Sequence, residues 1–74
     1  MRTFYRVVKS TDFDMDYYEI REVMVDSDGK VSWGSKPASA HGGSMQELGL
    51  DIEKMGEALS KPVMMDIENE LVEI

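Results

Sequence analysis

The side chains best placed to do chemistry are acids near the start of the chain. Asp12, Asp14 and Asp16 alternate in the run Asp12-Phe13-Asp14-Met15-Asp16. Carboxylates at that spacing invite a divalent cation, and a metal-dependent hydrolase is the reaction class that would use one. A calcium loop beginning at Asp12 needs glycine at its sixth position and glutamate at its twelfth. Those positions hold Tyr17 and Val23. A phosphotransferase site of D-x-D type needs a large α/β scaffold that 74 residues do not supply. The run is therefore expected to be a solvated loop that blunts a sheet edge with charge. Asp26-x-Asp28-Gly29 resembles the start of another calcium loop, but too few ligands follow, and turn chemistry accounts for it. His41 has no Cys, Ser or acid partner in a readable motif and is expected to be a loop residue. With no cysteine and one histidine, disulfides, thiolate metal sites and histidine-rich zinc sites are excluded. No catalytic, cofactor-binding or metal-ligating residue is assigned, and no enzyme activity is expected.

Composition narrows the partners. Fifteen acids against eight bases give a net charge of −7, which repels phosphate backbones. Direct binding to nucleic acid is not expected, unless Arg2, Arg6, Lys9 and Arg21 form a local basic patch. The N-terminal run Met1 to Val8 is interrupted by charge too early for a signal peptide. No stretch approaches the roughly 20 apolar residues of a membrane span. The expectation is a cytoplasmic, soluble protein with no membrane contact. A chain of 74 residues makes one domain. So short a chain buries little, and oligomerisation is a reasonable route to further burial.

The element that must organise such a chain is a helix beginning near Ser44. Ser44 and Glu47 form the S-x-x-E pattern of a capping box, with the serine oxygen on the Glu47 N–H and the glutamate returning to the Ser44 N–H. Gly42-Gly43 permit a tight approach. Leu48, Ile52, Met55 and Leu59 then recur at spacings of four, three and four, which defines an apolar face. Asp51, Glu53, Lys54 and Glu57 fall on the wet faces. Pro62 places the stop near Leu59 or Ser60. Gly49 and Gly56 lie beside the apolar stripe with Met45. They either let the helix pack closely on a sheet or offer a smooth strip to another chain.

Upstream, Phe4 to Lys9 reads as a first strand, with Tyr5 and Val7 on one face and Phe4, Arg6 and Val8 on the other. Ser10 to Asp16 is a polar connection. Tyr17 to Val25 is a second strand, its imperfect alternation suggesting a bulge between Glu19 and Glu22. Asp26-Ser27-Asp28-Gly29 is the strongest turn signal, with Gly29 in the left-handed position of a three-residue hairpin loop. If Asp26 pairs with Lys30, Val25 faces Val31 and Val23 faces Trp33. Residues 34–43 form a loop. Val63 to Met65 is a short fourth strand or an extended segment. The acidic, apolar tail 66–74 fits helix through Ile67, Leu71 and Ile74, or continued alternation through Met65 and Ile67, or fraying. The expected fold is α+β: a three-stranded antiparallel sheet, four-stranded if residues 63–65 join it, covered by one helix. A domain spans residues 1–65, with the tail beyond it. The helix face is expected to turn towards Val23, Val31 and Trp33.

The run Gly43-Ser44-x-x-Glu47-Leu48, followed by Ile52, Met55 and Leu59 and preceded by a hairpin, resembles the strand–strand–strand–helix half of HicB-type antitoxins, a partial RNase-H-like domain. The sequence is also similar to a group of small uncharacterised bacterial and phage proteins through Asp28-Gly29, Trp33, Pro37, Gly42 to Leu48 and Leu59 to Val63. That likeness covers roughly residues 17–65. It implies the fold and, weakly, an antitoxin or inhibitor role. The DNA-binding segment that commonly follows in HicB-type proteins is not expected after Ile74. Ser10 to Asp16 is also less glycine-rich than the hairpin usual there. An RNase H site needs carboxylates fixed at strand ends around metal. Here the acids fall mostly in turns and on outer helix faces.

The sequence thus points to a non-enzymatic protein–protein interaction module, binding a protein partner or itself. The alternative is a HicB-like antitoxin whose acidic surface covers a basic, nucleic-acid-binding partner. Candidate partner-binding residues are Leu50, Gly49, Gly56, Ile67, Leu71 and Ile74.

Overall fold

The computed structural model describes residues 2–74, except for the side chain of Asp12. Strand β1 (Arg2–Asp12) and strand β2 (Met15–Val25) form an antiparallel hairpin of eleven paired positions. Strand β3 (Val31–Trp33) pairs with β2, and helix α1 (Met45–Glu57) follows, continued by a single 3₁₀ turn, Ala58–Ser60. Strands β4 (Met64–Ile67) and β5 (Glu70–Glu73) complete a five-stranded sheet of order β3-β2-β1-β4-β5. The α+β class is as the sequence implies, but the sheet is larger than expected and it is mixed. β4 runs parallel to β1, pairing Val8 with Met64 and Lys9 with Met65.

The tail that sequence left open between helix, strand and fraying is strand. Glu68 and Asn69 both take positive φ (53° and 65°), and this two-residue turn folds β5 back on β4. A turn of the same kind, at Phe13 (51°) and Asp14 (62°), joins β1 to β2 where a longer polar connection was expected. Both central residues of such turns need positive φ, which matches the right-handed twist of the flanking strands. Asparagine and aspartate tolerate that region, whereas phenylalanine rarely adopts it. The Asp26–Lys30 turn forms as read: the Asp26 N–H donates to the Lys30 carbonyl at 3.0 Å, and Gly29 has φ of +80°. The register Val25↔Val31 and Val23↔Trp33 follows from it.

No bulge interrupts β2. The register runs without a break from Arg2↔Val25 to Asp12↔Met15. The alternation falters because Glu19 and Arg21 share a face and neutralise each other at 2.9 Å, with Arg21 also donating to the Gly34 carbonyl at 3.0 Å.

Four interstrand steps of about 4.8 Å would separate β3 from β5 by roughly 19 Å in a flat sheet. Yet Val31, Trp33, Asn69, Glu70 and Leu71 line one cleft of about 300 Å³. The sheet is therefore curled. By register, Val31, Trp33 and Leu71 lie on the same, concave face as Val8 and Val23, each of the latter 1 % exposed. Arg6 is also on that face, donating to the Pro62 carbonyl at 2.6 Å and to Glu73 at 3.2 Å. Its Nε is buried without a hydrogen-bond partner among the described residues.

Helix α1 lies on the other, convex face and rests on β1. This overturns the expected packing against Val23, Val31 and Trp33. The inward residues are Leu48, Asp51, Met55 and Ala58, and Ala58 is fully buried. Ile52 and Leu59, assigned inward from the sequence, are 54 % and 74 % exposed. A hydrogen bond from Tyr5 to Asp51 at 2.6 Å and the small side chain of Ala58 rotate the helix away from its bulkiest stripe. The caps behave largely as read. The Ser44 side chain accepts from the Glu47 N–H at 3.1 Å, but Glu47 returns to the Gly43 N–H at 2.7 Å rather than to that of Ser44. Gly42 is fixed by space: a Cβ there would lie 2.5 Å from the Leu48 nitrogen. The chain leaves helical angles at Lys61, ahead of Pro62.

Val8→Ala, at a site 1 % exposed, is expected to cost roughly 2 kcal/mol. Leu59→Ala, at 74 % exposure, is expected to shift stability by less than about 0.5 kcal/mol. Gly49→Ala, where an added Cβ meets nothing within 4 Å, should stabilise the single chain by up to about 1 kcal/mol. Urea unfolding in dilute solution checks all of these.

Candidate functional site

Two features of the surface are candidates: a polar cleft under α1, and the apolar face that α1 turns outward.

The cleft, about 520 Å³, opens between α1 and the convex face of β1 and β2, with Tyr5, Glu22, His41, Asp51 and Lys54 among its lining. Alternation places Tyr5 beneath the helix, and α1 places Asp51 above it. One Asp51 oxygen accepts the Tyr5 hydroxyl at 2.6 Å, and the other accepts the His41 backbone N–H at 3.0 Å. The Tyr5 bond, the His41 N–H and the neighbouring positive groups hold the Asp51 carboxyl below its ordinary value of 3.8. The same bond, with burial and the charges of Asp51 and Glu22, pushes the Tyr5 phenol from 10.0 up to about 12.

A tyrosine so held is a donor and not a base at neutral pH. The His41 ring is largely exposed, its Nδ1 lying 3.1 Å from the Ser39 carbonyl and 4.0 Å from Asp51. The longer separation is beyond a hydrogen bond, so Asp51 orients the His41 backbone rather than its imidazole. No hydroxyl is hydrogen-bonded to that imidazole among the described residues. The geometry makes this cluster a latch joining strand, loop and helix, and His41 is the loop residue the sequence suggested.

Asp14 occupies the β1–β2 turn, while Asp16 accepts from the Thr11 hydroxyl at 2.8 Å and lies 3.5 Å from Lys9. The Thr11 bond and then Lys9 lower the Asp16 carboxyl from its ordinary value. The side chain of Asp12 lies outside the described residues, and no three metal-ligating side chains gather among those described.

The outward face of α1 carries Met45 (83 % exposed) and Ile52, and the 3₁₀ turn that continues it carries Leu59. Gly49 and Gly56 lie between them, and neither has anything within 4 Å of where a Cβ would stand. The reading of these glycines as close helix-on-sheet packing therefore does not hold. Leu50 is exposed but points about 160° round the helix from Ile52. Ile67 and Ile74 are exposed on the β4–β5 unit, and half-buried Leu71 lines the concave cleft with Trp33. Of the candidate binding residues, the structure brings together Gly49 and Gly56 and separates the others from them. Sequence reasoning missed Met45, Ile52 and Leu59 as surface; their seven-residue spacing, in step with that of Gly49 and Gly56, is the signal that would have found them.

No helix is long and apolar enough to cross a membrane among the described residues. No family model, curated protein or solved structure matches the chain.

The latch predicts how stability depends on pH. The raised Tyr5 value favours the folded state fully below about pH 10, and that contribution is lost as pH rises from 10.0 through about 12. The lowered Asp51 value contributes above 3.8 and is lost as pH falls below it. Tyr5→Phe should lower Tm at neutral pH and flatten the loss of stability on the alkaline side. Thermal melts of both proteins across the pH range test this, and an unchanged alkaline limb would count against the latch.

Proposed function

We propose that the chain is a non-enzymatic protein–protein interaction module that docks through the outward face of α1. The observation that carries this reading is the exposed stripe formed by Met45 and Ile52 of α1 and Leu59 of the 3₁₀ turn after it, beside Leu48 and Met55, which are already turned inward. Exposed large apolar side chains gathered on one element mark interaction surfaces more often than scattered ones do. Methionine at the end of such a stripe adapts its shape to a partner. The Tyr5–Asp51–His41 cluster supports the same view, since the Tyr5 hydroxyl, both Asp51 oxygens and the His41 backbone N–H are engaged in holding the fold.

A second reading is a HicB-like antitoxin or inhibitor that covers a basic, nucleic-acid-binding protein. It draws support from the succession of three strands and a helix and from the net charge of −7. On either reading, direct contact with nucleic acid or a membrane forms no part of the role.

Affinity capture with the wild-type chain and two variants tests these proposals. Ile52→Glu should abolish retention of the partner, and Leu50→Glu should leave it intact. Retention insensitive to Ile52→Glu but lost at raised salt would favour the acidic-surface reading instead.

A further inference from the structure

We infer that the occupant of the outward α1 face is a second copy of this chain, its helix antiparallel to the first. The inference rests on the interaction-module reading and names its partner. Met45, Ile52 and Leu59 repeat every seven residues, and Gly49 and Gly56 repeat in step with them. A two-fold axis between residues 50 and 51 then sets Ile52 against Gly49 of the second copy and Met45 against Gly56 of the second copy. Ile52 and Met45 thus each meet a position where nothing lies within 4 Å of a Cβ, so two knobs coincide with two sockets, while Leu59, on the 3₁₀ turn, lies beyond the paired stretch. The parallel arrangement would oppose glycine to glycine and isoleucine to isoleucine, leaving a gap beside a crowded layer.

The flanks agree with this register. Half-buried Leu48 and Met55 border one side of the stripe and meet the same residues of the second copy. On the other side Glu53 comes beside Gln46 of the second copy and not beside another carboxylate. Opposed helix dipoles favour the pairing slightly. Each chain has reason to associate, since only Val7, Val8, Val23 and Ala58 are buried apolar residues among those described.

The size of the contact sets its strength. A helix of 13 residues is about 20 Å long. One such pairing covers less than the roughly 1,600 Å² of a standard interface. A contact of that size is expected to give a weak, readily reversible dimer.

Sedimentation equilibrium over a concentration series, with engineered cross-linking, tests the inference. The wild-type chain should follow a monomer–dimer equilibrium, and Ile52→Glu should remain monomeric throughout. Gly49→Ala, although it stabilises the single chain, should weaken the dimer about tenfold or more, because it fills a socket. The chain has no cysteine, so a mixture of the Met45→Cys and Gly56→Cys chains should form a mixed disulfide faster than either chain alone. Homodimeric disulfide forming fastest through Met45→Cys alone would overturn the antiparallel register. A wild-type chain monomeric at every concentration, yet retaining another protein through Ile52, would overturn self-pairing and leave the interaction-module reading standing. Monomer with no Ile52-dependent capture would sink both.

Discussion

The hydrogen bond from Tyr5 to Asp51 decides how the two halves of the molecule meet. It places a carboxylate on the inward side of α1, where apolar packing alone would have put Ile52 or Leu59. A carboxylate held partly out of water needs donors, and the Tyr5 hydroxyl and the His41 N–H supply them. Once both are engaged, the rotation of the helix about its own axis is set. Ala58 comes into contact with the sheet, and the bulkier residues turn outward. The exposed face of α1 is thus the other side of a polar decision made beneath it.

The curled sheet divides burial between two thin layers. Val8 and Val23 sit on the concave side, closed by the approach of β3 to the β4–β5 turn, while Val7 and Ala58 sit under the helix. Neither layer is thick enough to dominate, so polar ties matter more than usual for a domain of this size. Arg6 illustrates this. It is nearly buried on the concave face and joins β1 to the start of β4 and to the end of β5 through Pro62 and Glu73.

Much of the fold was legible where local chemistry is specific. The Asp26–Gly29 turn fixed the register of β3, and Ser44 with Glu47 fixed the start of the helix. The rest escaped for identifiable reasons. Phe13-Asp14 and Glu68-Asn69 take the tightest hairpin geometry without the glycine that announces it, so the first hairpin looked shorter than it is and the last strand looked uncertain. The parallel pairing of β4 with β1 leaves no local mark, because it depends on where the helix returns the chain. The helix face was misjudged because periodicity counts side-chain polarity and is blind to a paired carboxylate such as Asp51. For the candidate site, the outward glycines were visible in sequence, but which way they face was not.

The parallel neighbour of β1 is drawn from residues more than fifty positions further along the chain. Closing so large a loop is slow compared with zipping a hairpin, because the entropy of bringing its ends together is lost before any ladder bond compensates. The β1–β2–β3 meander can assemble early, but until β4 arrives one edge of β1 stands open to any strand that meets it first. During synthesis or refolding, that temporarily unclaimed edge is where this chain is most vulnerable to pairing with the wrong neighbour.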